Sequence, residues 1–400
     1  MPQSTCNHAA QSAVNLRFKF LSLIGIMAVV CDHIGSNALA PDRLFVYGSY
    51  HMPLFVFISG YFFRPPDTPK QAAVKIVSKL KKHLLPLACW TGVYMLLFSL
   101  IRSYTSIPAK MGYDTFKITR VFIDPFLWGT DVSGLSPAVN IAAWFLGAFI
   151  IIEVFNSAFY SFLPSKQKNN LHVFVFFVVL AVVAGNYSKL ERFISDKPYS
   201  VILTRTIYLL FWYNVGYYYR LYFEKWEQKV PDALMISVTI IGYLLISCSR
   251  FLRNMSMVTS VYSGVFEASF SETVFIAAIG ILFWLRISKY AEPIMKMTRL
   301  PKYIADHTFD IMMHHGFCFW LINLAIYFLS LNHVSVAEKF NYEVFAITPW
   351  YAFVPGTTLA PIRLVYIAFA LALPLSVRWL YEKAKKKVCD KMENAETQRA

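Results

Sequence analysis

Charged side chains are scarce in this sequence. They make up 15% of its 400 residues, whereas soluble domains carry about 25%. Apolar residues reach 57%, aromatic residues 17% and the mean hydropathy +0.47. This composition excludes a disordered chain, a disulfide-rich secreted module and an ordinary soluble enzyme. It predicts a polytopic membrane protein.

Several ligand-binding and catalytic signatures are also missing. The six cysteines show no CxxC spacing and predict neither a zinc site nor a disulfide framework. The sequence has no P-loop, GxGxxG, GxSxG or HExxH motif and no internal repeat. We therefore expect no bound metal.

Hydrophobic runs of membrane-spanning length recur along the whole chain. A spanning helix needs about 20 mostly apolar residues. The prediction is an all-α bundle of ten transmembrane helices. The membrane domain covers 17–382, between a polar tail at 1–16 and a charged tail at 383–400 that frays. The predicted spans are Phe18–Ala38, Tyr47–Phe63, Leu84–Leu100, Ile141–Leu163, Leu171–Gly185, Val201–Phe223, Ala233–Ser249, Phe266–Ile287, Phe309–Leu331 and Pro361–Leu380.

The distribution of basic residues predicts the orientation. Ten spans place both termini on one side, and the connections on that side hold 25 of the 38 Lys and Arg residues, against 11 on the other. Since positive residues favour cytoplasmic connections, both termini are predicted to be cytoplasmic. The net charge of +15 then lies along the membrane surface, so nucleic acid is not an expected partner.

Ionisable residues inside the spans are functional candidates, because a buried charge in a membrane is costly. Asp32 and His33 in the first span point about 100° apart on a helix and cannot pair directly. In the ninth span Asp310 and His314 are four residues apart, so the carboxylate could orient the imidazole, whereas His315 points elsewhere. A structural hydrogen-bond network is the competing interpretation. Further ionisable residues in spans are Glu153, Arg205 and Glu272.

Two neighbouring segments each allow two interpretations. Pro53 and the pair Ser59-Gly60 interrupt an apolar run, which indicates either a broken helix beside a cavity or a kink that allows close packing. The connection after that run carries a lysine cluster. Such a cluster is either a topology signal near anionic lipid or a phosphate-binding site. Its members are Lys75, Lys79, Lys81 and Lys82.

Five stretches of sequence form a recognisable set. They are the first span ending in Asp32-His33, His51-Met-Pro-Leu-Phe-Val-Phe-Ile-Ser-Gly-Tyr-Phe-Phe, Lys79-Leu-Lys-Lys-His-Leu-Leu-Pro, Trp144-Phe-Leu and Thr308-Phe-Asp-Ile-Met-Met-His-His. In order and content they resemble motifs of the membrane acyltransferase-3 superfamily, in particular its fucose 4-O-acetylase-like or surface-polysaccharide O-acetyltransferase group. One departure is Ser22, because many members carry Arg eleven residues before the signature His.

The resemblance implies an enzyme of the bacterial inner membrane. Such enzymes use acetyl-CoA, or another acyl-CoA, to acylate sugar hydroxyls of cell-surface or exported glycans. The expected partners are therefore the bilayer, an acyl-CoA and a glycan or lipid-linked sugar.

Roles for individual residues follow from the resemblance together with acyl-transfer chemistry. His33 is the expected base that removes the hydroxyl proton, oriented by Asp32 or by a carboxylate of another span. His314 and His315 would bind substrate or stabilise charge, with Asp310 orienting His314. Further expected roles are substrate binding by His51, Ser59 and Trp144, and binding of the CoA phosphates by Lys79, Lys81 and Lys82.

Two other function classes fit part of the sequence. A transporter or flippase would also place His and Asp in its spans, but it predicts two related halves, which the sequence does not show. A non-catalytic component of a polysaccharide assembly machine is the other alternative.

Overall fold

The computed structural model describes residues 16–34, 47–105, 107, 118–127, 144–191, 198–253, 261–262, 264, 266, 270–332, 340–347 and 362–397. Within these ranges every regular element is a helix, and no strand occurs. The predicted all-α fold is therefore confirmed for the described part of the chain.

The N-terminal half places a short amphipathic helix between apolar ones. Thr68 caps that short helix by accepting a hydrogen bond from the Gln71 backbone N–H (3.2 Å), and Pro69 occupies its first turn. A π-helical turn at Leu80–Leu84 joins it to the next helix. The helices are α1 (Leu16–Asp32), α2 (His51–Tyr61), α3 (Pro69–Lys79), α4 (Leu85–Tyr104), α5 (Ile118–Leu127), α6 (Trp144–Phe162) and α7 (Leu171–Glu191).

The C-terminal half contains the longest helices. A second π-helical turn, Tyr219–Phe223, joins a helix of 21 residues to one of four residues. The helices are α8 (Pro198–Tyr218), α9 (Glu224–Glu227), α10 (Asp232–Leu252), α11 (Phe270–Met297), α12 (Leu300–Asp306), α13 (Thr308–Leu331), α14 (Tyr342–Ile347) and α15 (Ile362–Thr397).

A helix overlaps each of the ten predicted spans. Helices α1 and α2, at 17 and 11 residues, are shorter than a bilayer requires. Ten crossings therefore stay a prediction, whereas the multi-pass character is supported. The helical segments long and apolar enough to cross a membrane are Pro69–Tyr104, Trp144–Phe162, Asp232–Leu252, Phe270–Met297, Thr308–Leu331 and Ile362–Val388.

Two local expectations differ from the structure. The charged tail was expected to fray from residue 383, but α15 continues to Thr397, because Lys, Glu and Ala in the tail are good helix formers. Pro53 does not break α2, because it lies in the first turn of the helix. Backbone N–H groups in that turn have no acceptor within the helix, so the N–H that proline lacks is not needed there.

One end of the bundle gathers the connections that the charge distribution assigned to the cytoplasm. We call it the basic end. Contacts there link the N-terminal segment, the later connections and the final helix. The grouping of these connections agrees with the prediction, and the membrane face that they occupy stays a prediction. The contacts are Arg17 to Ser288, Lys168 to Asp67, Tyr61 to Glu224 and His307 to Glu382.

Helix α1 lies at the centre of the bundle. It packs against α2, α11, α12 and α13. Leu21, Ile26 and Val30 on this helix are fully buried. This packing carries the chain to His33, immediately beyond the last residue of α1, in contact with α13.

Two glycines bring α2 and α8 into backbone contact. A Cβ on Gly60 would lie 1.7 Å from the Tyr213 carbonyl oxygen, and one on Gly216 would lie 2.0 Å from the Phe57 carbonyl oxygen. Only glycine permits this approach. The close-packing interpretation of the Ser59-Gly60 pair is therefore supported.

Candidate active site

A cavity of about 340 Å³ lies among α2, α6, α13 and the junction between α3 and α4. Two of the three lysines predicted to bind the acyl donor, Lys79 and Lys82, line it. Ser59 of α2 lines it as well, so this segment lies beside a cavity, but as a continuous helix rather than a broken one. Lys81 is not among the lining residues, because it lies on another face of the same helical segment.

One wall of the cavity is charged. Lys75, Lys79 and Lys82 follow one another at intervals of four and three residues, which places them on one helix face. The Lys75 Nζ lies 4.7 Å from the centre of the Phe63 ring. The Lys79 Nζ lies 3.1 Å from Oε2 of Glu153 on α6. These ammonium groups give the cavity an anion-binding wall.

The rest of the lining is largely aromatic. The ring centres of Phe145 and Phe55 lie 6.0 Å apart, and Phe145 stacks on Phe149 at the same distance. The His83 ring approaches Phe149 at 5.6 Å and Phe309 at 6.5 Å. The cavity therefore combines cationic groups with aromatic surface, which suits a ligand that has both anionic and apolar parts.

The two predicted catalytic histidines His33 and His315 lie side by side, with ring centres 4.9 Å apart. The His33 Nδ1 lies 2.8 Å from the Val29 carbonyl oxygen, and the His315 Nδ1 lies 2.9 Å from the Met312 carbonyl oxygen. A carbonyl oxygen only accepts hydrogen bonds, so each Nδ1 carries the proton. In the neutral form of either ring, Nε2 is then the nitrogen that can accept a proton.

The cavity reaches within one helical turn of this histidine pair. Met312 lines the cavity, and His315 follows three residues later on the same face of α13. The Phe55 ring, also part of the lining, touches α1 at Gly25, where a Cβ would lie 3.0 Å from it. Gly25 is eight residues, two helical turns, before His33.

The predicted pairing of Asp310 with His314 is not formed. Asp310 instead lies 3.9 Å from the Arg378 Nε on α15. The His314 Nδ1 lies 2.6 Å from the Tyr94 hydroxyl on α4, and Trp90 packs edge-on against the imidazole. The helices beside α13 thus supply the partners, and His314 is directed toward α4 rather than toward His33.

We expect that Tyr94→Phe lowers the free energy of unfolding by about 1 kcal/mol or less, because it removes one hydrogen bond between helices. Acyl transfer should remain near the wild-type rate, since His314 faces away from the histidine pair. A thermal melt of the purified variant and an activity assay check both points. A loss of activity at unchanged stability would contradict this placement of His314.

The remaining predicted residues fall into different surroundings. Asp32 ends α1, and the Val29 carbonyl rather than this carboxylate binds the His33 Nδ1. Orientation of His33 by Asp32 or by a carboxylate of another span stays a prediction. His51, 7% exposed, begins α2 and shares a helix face with Phe55 and Ser59 of the cavity lining.

Trp144 lies at the first residue of α6, outside the cavity lining. Its ring stacks against the Arg205 guanidinium at 5.1 Å and meets Tyr262 edge-on at 5.7 Å. Arg205 donates to the carbonyl oxygens of Phe126 and Tyr262. The structure therefore places Trp144 beside a buried arginine, and its neighbour Phe145 in the cavity.

Among the lining residues that the sequence-based site omitted, three have charged or imidazole side chains: Lys75, His83 and Glu153. Lys75 and His83 could have been found from their helical spacing to Lys79, which places all three on one face. Glu153 was recognised as ionisable within a span, but nothing in the sequence pairs it with Lys79, because the contact joins α3 to α6.

Comparison with known proteins gives one result for this chain. A family model described as "Acyltransferase domain" matches residues 18–381. No curated protein and no solved structure matches this chain.

Proposed function

Because this chain belongs to the acyltransferase-3 family, whose domain covers residues 18–381, we propose that it moves an acetyl or other acyl group from acyl-CoA to a hydroxyl of a sugar. Membership of this family identifies the chain as a membrane acyltransferase. The observation that supports the choice of donor is the cavity, in which an anion-binding wall adjoins aromatic side chains and Met312, one helical turn before His315.

The donor site follows from the lining of the cavity. In the proposal the CoA phosphates lie against Lys75, Lys79 and Lys82, since ammonium groups bind phosphate as point charges. The pantetheine chain lies along the edges of the stacked Phe145 and Phe149 rings. The thioester then lies toward Met312, which precedes His315 on α13. This orientation brings the acyl group from the basic end toward the histidine pair.

The chemistry assigned to His33 is general base catalysis. Its Nε2 takes the proton of the sugar hydroxyl while the oxygen attacks the thioester carbonyl carbon, and the C–S bond then breaks. The proton returns from His33 to the departing CoA sulfur, so atoms and charge balance. His315 supports the charge that forms beside it. His51 and Ser59, on one face of α2, are the proposed contacts for the substrates.

The proposed acceptor is a cell-surface or exported glycan, in lipid-linked or polymer form. This assignment extends the predicted placement in a bacterial inner membrane, with the termini and the donor site on the cytoplasmic side. Glycan mass spectrometry of a deletion strain should show the loss of one acetyl increment, about 42 Da per modified sugar, as expected for acyl transfer to a hydroxyl.

Incubation of the purified protein with labelled acetyl-CoA tests the enzymatic proposal. Release of CoA that depends on added glycan, with label appearing in the glycan, is the expected result. Binding or flux without release would favour the transporter or the non-catalytic assembly component instead.

Lys82→Met is expected to raise KM for acetyl-CoA about tenfold with kcat little changed, because it removes a donor-binding charge and leaves the histidine pair intact. Lys81→Met is the matched control, since this adjacent lysine lies outside the cavity lining. Steady-state kinetics of both variants provide the measurement. Equal effects at the two positions would show that the lysines act through general surface charge.

A further inference from the structure

Glu153 is the one carboxylate among the described residues that line the cavity, and the proposed reaction gives it no role. It is 2% exposed and lies in the apolar helix α6 between Ile152 and Val154. A carboxylate in such a place is costly without a partner. Its contacts therefore indicate what it does.

The two oxygens of Glu153 have different partners. Oε1 accepts a hydrogen bond from the Tyr213 hydroxyl at 3.2 Å. Oε2 lies 3.1 Å from the Lys79 Nζ but accepts no hydrogen bond from the described residues. Lys79 is thus held by charge rather than by a directional bond. Its side chain remains 33% exposed and lines the cavity, so a second anion can reach the same ammonium group.

A phosphate that approaches Lys79 meets the Glu153 carboxylate. The two anions repel each other, and the repulsion is strong because the surroundings are apolar and poorly screened. Lys75 also lies within electrostatic range of Glu153, and its Nζ donates to the Arg64 carbonyl oxygen, but the close ion pair of Glu153 is with Lys79. Glu153 therefore opposes donor binding chiefly at Lys79, while it keeps Lys79 compensated when no donor is bound.

We infer that Glu153 is a resident counter-anion of the donor site, which competes with the donor phosphates for Lys79. The inference rests on the proposed function, because it takes acyl-CoA as the ligand of this cavity. Glu153 weakens binding of the donor and of its product, free CoA, and so eases product release after transfer. Tyr213 acts with it by fixing the carboxylate toward the lysine wall.

The test compares CoA with pantetheine, which shares the thiol arm but lacks phosphate. Titration calorimetry of the full-length protein in detergent should show Glu153→Gln lowering the Kd for CoA about tenfold. The Kd for pantetheine should not change, and the gain for CoA should shrink as salt rises.

Glu227→Gln is the matched control. Glu227 is also 2% exposed and pairs with Arg286 at 2.5 Å, outside the cavity lining. Its substitution should leave the Kd for CoA unchanged. Glu153→Leu, which replaces the carboxylate with an apolar side chain of similar size, provides a second test if the glutamine variant does not fold.

The possible outcomes separate this inference from the proposed function. If the wild type binds CoA and neither Glu153 variant binds it more tightly, the counter-anion role is wrong while the donor site stands. Equal tightening for pantetheine would also refute it, because charge would not be the cause. If no variant binds CoA, both proposals are wrong.

Discussion

Replacing His33 with alanine is expected to lower kcat for acyl transfer between about a hundredfold and ten-thousandfold, the range typical for loss of a general base. The reason is local. The Val29 carbonyl fixes the His33 Nδ1 proton, so Nε2 is the nitrogen that accepts the hydroxyl proton. The variant should bind CoA as the wild type does, because His33 is not among the residues that line the donor cavity.

The measurement is acetylation of the surface glycan in a strain that produces the variant at the normal protein level, together with kcat of the purified enzyme. His172→Ala is the control, since this histidine is exposed on α7 and contacts Asn170. Wild-type acetylation by the His33 variant would refute the assignment of the base. Loss of CoA binding would instead place His33 in the donor site.

Gly60→Ala is expected to prevent accumulation of folded protein. The added methyl group would lie 1.7 Å from the Tyr213 carbonyl oxygen, far inside van der Waals contact. Overfilling a packed interior typically costs about 1–3 kcal/mol. The cost here is larger because the obstructing atom belongs to the backbone of α8 and cannot rotate away. Separation of α2 from α8 would also displace Ser59 and Tyr213, which line the cavity.

Size-exclusion chromatography of a fluorescent fusion in mild detergent measures this effect as loss of the monodisperse peak. Gly92→Ala on α4 is the control. The nearest atoms to its Cβ would be Val121 methyl carbons at 3.7 Å, an ordinary contact distance. A stable, active Gly60 variant would contradict the close approach of α2 and α8.

Much of the fold could be predicted because hydrophobic length and charge placement are properties of the sequence itself. A run such as 308–331 must form a helix in a bilayer, since no water is present to satisfy its backbone. Excess Lys and Arg on one set of connections likewise predicted which connections lie together, and Lys168 with Asp67 joins two of them. The motif residues His33 and His315 were also found from sequence, and the structure brings them into contact.

Residue partners could not be predicted with the same success. The spacing of Asp310 and His314 allowed a pair within α13. In the structure Asp310 instead pairs with Arg378, and His314 forms a hydrogen bond with Tyr94, both on neighbouring helices. Spacing states which residues share a helix face, but it does not state which helix that face meets. Lys82 lines the cavity and Lys81 does not, because only the helix face that carries Lys82 meets the neighbouring helices there.

The sequence by itself determined the membrane class, the helical segments and the family motifs. It also supplied the candidate histidines His33 and His315 and the lysine cluster. The tertiary structure alone decided that Lys79 and Lys82 share a cavity with Glu153, and that this cavity ends one turn from His315. The physical reason is that buried polar groups bind whichever partner the packing of helices brings within reach. That packing depends on contacts between residues far apart in the chain, such as Gly60 with Tyr213.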